Sequence, residues 1–127
     1  MAASILIAED YDDNRELLRL LLTGAAYDVR EAKNGLECLS MAKEQPPDLI
    51  MIDLSMPILD GWELFRELKA DAITANIPCV AVTAQSETDR ERALQTGFSA
   101  YVTKPFRGEE LLATVAKLIS TKKPALL

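Results

Sequence analysis

Leu49-Ile50-Met51-Ile52-Asp53 runs straight into Leu54-Ser55-Met56-Pro57-Ile58-Leu59-Asp60-Gly61. Four consecutive apolar residues bounded by turn signals read as a strand buried on both faces, which is how strands of a parallel sheet look. The carboxylate of Asp53 closes that strand. In open α/β sheets, ligands bind outside the carboxyl ends of the strands. Asp53 is therefore a candidate nucleophile for an incoming phosphoryl group, although an acid beside a turn also satisfies the local pattern.

Working toward the N-terminus, Ile5-Leu6-Ile7-Ala8 forms a similar apolar run that stops at Glu9-Asp10. A helix is expected next. Asp12 or Asp13 can cap it, and Asp13 with Glu16 fits a capping box. Leu17, Leu18, Leu21 and Leu22 make its apolar face, and Gly24 is expected to end it. Tyr27 to Ala32 alternates apolar and polar as an edge strand does. Asn34 with Glu37 repeats the capping pattern for a second helix, lined by Leu36, Leu39 and Ala42 and closed by Pro46-Pro47.

Toward the C-terminus, Asp60 with Glu63 caps a third helix that buries Leu64, Phe65 and Leu68. A polar connection, 70–78, leads to the strand Cys79-Val80-Ala81-Val82, ending at Thr83. Ser86 is expected to cap a fourth helix with Ala93 and Leu94 in its core, ended by Gly97. Ser99-Ala100-Tyr101-Val102 is a fifth strand, ending at Thr103-Lys104-Pro105. The last helix carries Leu111, Leu112, Val115 and Ile119 at helical spacing, and 121–127 read as a frayed tail. Five alternations of strand and helix with short connections imply an α/β fold: a parallel sheet covered by helices on both faces.

The bulk numbers fit one domain. The chain has 127 residues, 49% hydrophobic and 27% charged, with 14 basic and 20 acidic side chains for a net charge of −6. An acidic chain without a basic block is poorly suited to binding nucleic acid directly. No apolar stretch reaches membrane-spanning length, and Ser4 to Ala8 is too short for a signal peptide. The cytoplasm is the expected compartment. Cys38 and Cys79 lack metal-ligand spacing and the chain has no histidine, so both read as buried reduced thiols.

In a parallel sheet the ends of strands one, three, four and five point one way. Glu9-Asp10, Asp53, Thr83 and Lys104 can thus meet in one pocket. Two unit charges about 5 Å apart repel by roughly 3 kcal/mol at an effective dielectric near 20. A carboxylate cluster of that kind raises a pKa or recruits a cation. Oxygen donors alone suit a hard ion, Mg²⁺ before Ca²⁺. Lys104 would add a second positive charge and Thr83 a hydroxyl donor. For Glu9-Asp10 taken alone, a helix-entry role competes with metal binding.

Ile5-Leu-Ile-Ala-Glu-Asp10, Asp53-Leu-Ser-Met-Pro57-Ile-Leu-Asp-Gly61, Val82-Thr83-Ala84 and Val102-Thr-Lys104-Pro105-Phe106, in that order, resemble the CheY-like receiver domains of response regulators in two-component signalling. The resemblance extends from Ile5 to about Ile119. It implies the flavodoxin-like strand order 2-1-3-4-5 in a single receiver domain spanning 1–127, with its core at about 4–120. It implies that Asp53 is the phosphoacceptor, supplied by a phosphohistidine of a histidine kinase or phosphotransfer protein. Asp10 would bind Mg²⁺ directly, Glu9 largely through water, and Ser55 through its backbone carbonyl. Thr83 and Lys104 would contact the phosphoryl oxygens. Thr83 and Tyr101 would act as switch residues, with Pro105 following a cis peptide bond, and would reorganise a surface of helix four, strand five and helix five for a downstream protein. Ser55 and Gln85 occupy positions that tune phosphoryl lifetime in the family, and Glu9 stands where many members have Asp.

The stretch Glu9 to Leu18 also looks like receivers attached to hybrid kinases, so the chain could be one segment of a larger protein; Met1-Ala2-Ala3 favours a complete one. Two further classes fit the architecture. A Mg²⁺-dependent phosphohydrolase would carry an acid two residues after the nucleophile, where this chain has Ser55. A flavodoxin-like binding domain would carry a Gly- or Ser/Thr-rich loop after the first strand, where this chain has Glu9-Asp10-Tyr11-Asp12-Asp13.

Overall fold

The computed structural model describes residues 2–84 and 87–122. Strand and helix alternate without exception: β1 (Ser4–Ala8), α1 (Asp12–Gly24), β2 (Asp28–Ala32), α2 (Gly35–Glu44), β3 (Leu49–Asp53), α3 (Gly61–Ala70), β4 (Cys79–Thr83), α4 (Glu87–Thr96), β5 (Ala100–Thr103) and α5 (Gly108–Lys122). The five strands form one parallel sheet in the order β2-β1-β3-β4-β5. This is the flavodoxin-like order expected above.

Period-two alternation along the central strands builds two cores. Leu6, Ala8, Ile50, Ile52 and Ala81 point to one face, where Cys38 and Ala42 of α2, Leu64, Phe65 and Leu68 of α3, and Ala93 of α4 cover them. Ile5, Ile7, Leu49, Met51, Val80 and Val82 point to the other, under Leu18 and Leu22 of α1 and Leu111, Val115 and Ile119 of α5. All five residues of β3 and of β4 are buried, which is why both read as continuous apolar runs. Cys38 and Cys79 are buried free thiols, and burial pushes each up to about 12. Among the described residues, no helix is long and apolar enough to cross a membrane.

Two helix starts match their capping residues: Asn34 accepts from Glu37 N at 2.8 Å and Asp60 from Glu63 N at 2.9 Å. The start of α1 does not. Tyr11 occupies the N-cap, and no side chain caps it. Asp12 and Asp13 already lie in the first turn, where their charge faces the positive end of the helix dipole. Glu16 pairs with Arg19 at 2.6 Å instead of closing a box with Asp13. Gly24 is the last helical residue rather than the stop; Ala26, at φ 70°, takes the left-handed conformation. The stop of α4 is as expected, with Gly97 at φ 123°.

Leu17, Leu36 and Leu94 are exposed, not core. Leu18 and Ala93 are buried as expected, and α2 turns Cys38 rather than Leu36 onto the sheet. The connection 70–78 is not simply polar either. Ile77 is buried, and Thr74 is fully buried with its hydroxyl donating to Leu68 O at 2.6 Å. The expected cap Ser86 and residues 123–127 of the expected tail lie outside the described residues, while α5 runs through Lys122.

Candidate functional site

The sheet order decides which strand ends meet. β1 and β4 flank β3, so the residues after β1 and at the end of β4 stand on either side of Asp53. Asp53 itself pairs in register with Val82, and Leu54 N continues the ladder by donating to Val82 O at 2.9 Å. Lys104 is held by its backbone, which donates to Thr83 O at 2.8 Å. Its side chain then reaches across β4, and Nζ lies 3.2 Å from Asp53 Oδ2 and 3.2 Å from Glu9 Oε1.

Glu9, Asp10 and Asp53 each bring a carboxylate oxygen to within 4.8 Å of the others. Glu9 is fully buried, Asp53 nearly so, and Asp10 is exposed. The backbone aims them: Glu9 N donates to Ala32 O at 3.1 Å, and Glu9 Oε2 accepts from Tyr11 N at 3.2 Å. Ser55 sits beside the cluster, its N–H donating to Asp53 Oδ1 at 3.0 Å. The loop that follows folds back so tightly that a Cβ on Gly61 would stand 2.5 Å from Asp53 O. Glycine there is a condition of the loop's path beneath Asp53.

The cluster is electrostatically unsettled. Burial, and then the neighbouring Asp53, push Glu9 up to about 7, against the Tyr11 N–H and Lys104. Burial pulls Lys104 down, but Asp53 and Glu9 outweigh it and leave the ammonium above its ordinary value. Glu9 Oε1 is buried without an aligned hydrogen bond, its contact being the ion pair with Lys104. Three oxygen donors, one of them buried and unsatisfied, fit a hard divalent cation such as Mg²⁺.

Thr83, the last residue of β4, is buried, and its hydroxyl donates to Asp89 Oδ2 of α4 at 3.5 Å. Tyr101, in the middle of edge strand β5, is half-buried with the Arg90 guanidinium 5.3 Å from its ring centre. Pro105 follows a cis peptide bond after Lys104. Glu9, Asp10, Asp53, Ser55, Thr83, Lys104 and Pro105 thus lie at the carboxyl edge of the sheet and Tyr101 on β5, while Gln85 lies outside the described residues. Asp89 and Arg90 were not anticipated. Their signal is weak, since helix positions six and seven residues past a strand end show their partners only once α4 is placed.

The family model for the response regulator receiver domain matches residues 5–116. The polar-differentiation response regulator DivK of Brucella anthropi is 38% identical over 116 residues, 91% of this chain and 94% of that protein. The response regulator PleD of Caulobacter vibrioides is 39% identical over 123 residues, 96% of this chain but 27% of PleD. Among solved structures, the receiver domain of the sensor histidine kinase PA1611 from Pseudomonas aeruginosa PAO1 superposes with a TM-score of 0.87 at 31% identity, covering 94% of this chain and 99% of that one. That domain has a magnesium ion coordinated in its active site cleft. The chain belongs to the response regulator receiver domain family of two-component signalling.

Proposed function

We propose that Asp53 accepts a phosphoryl group from the phosphohistidine of a histidine kinase or phosphotransfer protein. The observation that carries this reading is the Asp53 carboxylate at a strand end, 3.2 Å from Lys104 and clustered with Glu9 and Asp10. An Asp53 oxygen attacks phosphorus in line. The phosphorus–oxygen bond forms as the phosphorus–nitrogen bond breaks, and the electron pair leaves with the imidazole. Lys104 holds the attacking carboxylate and counters negative charge on the phosphoryl oxygens. Asp10 and Asp53 would hold Mg²⁺ directly, Glu9 through water and Ser55 through its carbonyl. When bound, the ion supplies neutralisation of the phosphoryl charge. The chain is a signalling phosphoacceptor rather than an enzyme acting on a separate substrate.

The added phosphoryl oxygens need donors that Asp53 did not. Thr83 is the nearest hydroxyl on β4, and moving toward the phosphoryl group loosens its long contact with Asp89. That links the site to α4, and Arg90 over Tyr101 links α4 to β5. The surface of α4, β5 and α5 is the reading's output face, presented to a downstream protein; direct nucleic-acid contact and membrane attachment have no part in it, and the cytoplasm is the setting. Membership in the receiver family displaces the phosphohydrolase and flavodoxin-like binding alternatives. The hybrid-kinase context stays a second reading, because the receiver of a sensor histidine kinase is among the structural neighbours.

The test is labelling with acetyl phosphate and Mg²⁺. The expected label is acid-labile, released by hydroxylamine, and absent from Asp53→Asn. A label that persists in that variant moves the site elsewhere. Trp62, the only tryptophan, stacks under Arg92 of α4 at 3.9 Å. Its emission is expected to change on phosphorylation, and a flat response overturns the α4 switch.

A further inference from the structure

On the far side of α4 from Tyr101, a groove of about 500 Å³ runs between α3 and α4. Its floor is aromatic: Phe65 is buried and stacks on Phe98 at 4.1 Å between centroids, and half-buried Trp62 meets Phe98 edge-on at 6.0 Å. Its rim is cationic, made of Arg66, Lys69 and Arg92, and among the described residues no acidic one lines it. This stands out on a chain whose net charge is −6.

The cations differ in freedom. Lys69 Nζ is committed to Ala75 O and Ile77 O, both at 2.9 Å. Arg66 and Arg92 are exposed and, among the described residues, neither forms an ion pair. Arg92 lies over Trp62 instead, its guanidinium carbon 3.9 Å from the ring centre, and a guanidinium can pair with a carboxylate through two hydrogen bonds. Gly97 closes the groove's end, and a Cβ there would stand 3.4 Å from Phe65, so the missing side chain leaves the aromatic floor open.

We propose that this groove docks an acidic segment of a protein partner, with an apolar or aromatic side chain seated on Trp62 and Phe65 and carboxylates on Arg66 and Arg92. Charge complementarity selects the occupant. An extended polyanion such as nucleic acid would meet exposed Glu63, Glu67 and Glu91 on the same two helices, whereas a short acidic segment with one anchor meets only the basic lining. Buried aromatic and arginine anchors are also the residue types that dominate protein interfaces. The surface is separate from the output face described above, since α4 turns Arg90 toward Tyr101 and Arg92 toward Trp62.

The test is selection of a phage-displayed random peptide library on the full chain, with the double variant Arg66→Glu, Arg92→Glu as counter-target. Enriched peptides are expected to be acidic with one aromatic or large aliphatic residue. Synthetic versions are expected to shift Trp62 emission saturably, and to bind the double variant at least tenfold more weakly. Enrichment of neutral or basic peptides, peptides that bind the double variant equally, or no enrichment overturns the proposal. So does a saturable Trp62 response to ATP or oligothymidylate that the peptides fail to displace, which would assign the groove to nucleotides. Acetyl phosphate labelling of the same variant is expected to be unchanged, which keeps this outcome separate from the role of Asp53.

Discussion

The Lys104 ammonium stands 3.2 Å from Glu9 Oε1, an oxygen buried without an aligned hydrogen bond, and at the same distance from Asp53 Oδ2. One cation therefore holds two carboxylates that would otherwise face each other. Replacing Lys104 with Met keeps the length of the side chain and removes the charge. We expect a loss of roughly 1–3 kcal/mol at about pH 8, below the cost of breaking a fully buried pair because Lys104 is partly exposed. Urea unfolding with and without excess MgCl₂ checks it, and the ion is expected to recover much of the loss. Equal loss in both conditions would mean that the pocket does not hold the ion.

Glu9 makes the pH dependence specific. Its pKa in the folded chain is about 7, against an ordinary value of 4.5. Between those values the folded chain keeps a proton that the unfolded chain has lost. Stability from this group is therefore highest below 4.5, falls as pH rises to about 7, and is level above. At about 1.4 kcal/mol per pKa unit the whole fall is at most roughly 3.5 kcal/mol. Other carboxylates add their own slopes, so the measurement is the difference between the wild type and Glu9→Gln, by denaturant unfolding across this range. Mg²⁺ favours the ionised carboxylate, so its apparent affinity is expected to rise over the same interval.

Most of this site was legible before any coordinates because parallel topology converts strand ends into neighbours. Asp53, Thr83 and Lys104 needed only the recognition of β3, β4 and β5; β3 and β4, buried on both faces, announce themselves as apolar runs, and edge strand β5 follows from the alternation with helices. Local capping was equally legible at Asn34 and Asp60, where one side chain meets a backbone three residues on. It failed at Tyr11, because an acid-rich stretch offers several caps of equal quality and the path out of β1 chooses none. Exposure of Leu36 and Leu94 was hidden for a related reason. A short helix with mixed faces leaves its rotation to tertiary contacts, which bury Cys38 in place of Leu36 and keep only Ala93 of the expected pair Ala93 and Leu94. The stacking of Arg92 on Trp62 joins two helices with no local signal at all.

Gly61 supplies a steric prediction. A Cβ would lie 2.5 Å from Asp53 O and 2.6 Å from Leu54 Cα, both backbone atoms that cannot rotate aside. Gly61→Ala is expected to cost about 2–4 kcal/mol and to weaken labelling of Asp53 by displacing its strand end. Gly24→Ala is the matched control, since nothing lies within 4 Å of its Cβ. In a helix that exchange is expected to be neutral or to stabilise by up to about 1 kcal/mol. Thermal unfolding and labelling of both variants separate a local clash from a general intolerance of added methyl groups.

Ile58 is the reverse case, a residue that its backbone does not suit. Its φ is 73°, and the residue is 73% exposed. A β-branched residue in the left-handed region is a steric outlier, at a cost of roughly 1–2 kcal/mol. So exposed a side chain gives back little by burial. Glycine removes the clash but loses about 0.5–1 kcal/mol more entropy on folding. Ile58→Gly is therefore expected to stabilise by up to about 1 kcal/mol, or raise the melting temperature by about 3 °C for a domain of this size. Asp53 labelling by acetyl phosphate is expected to be unchanged, because relief of strain at an exposed loop position leaves Lys104 and Glu9 where they are. A lower melting temperature would mean that Ile58 packs against the chain, contrary to its exposure. Impaired labelling with a higher melting temperature would mean instead that the strained turn helps to aim Asp53.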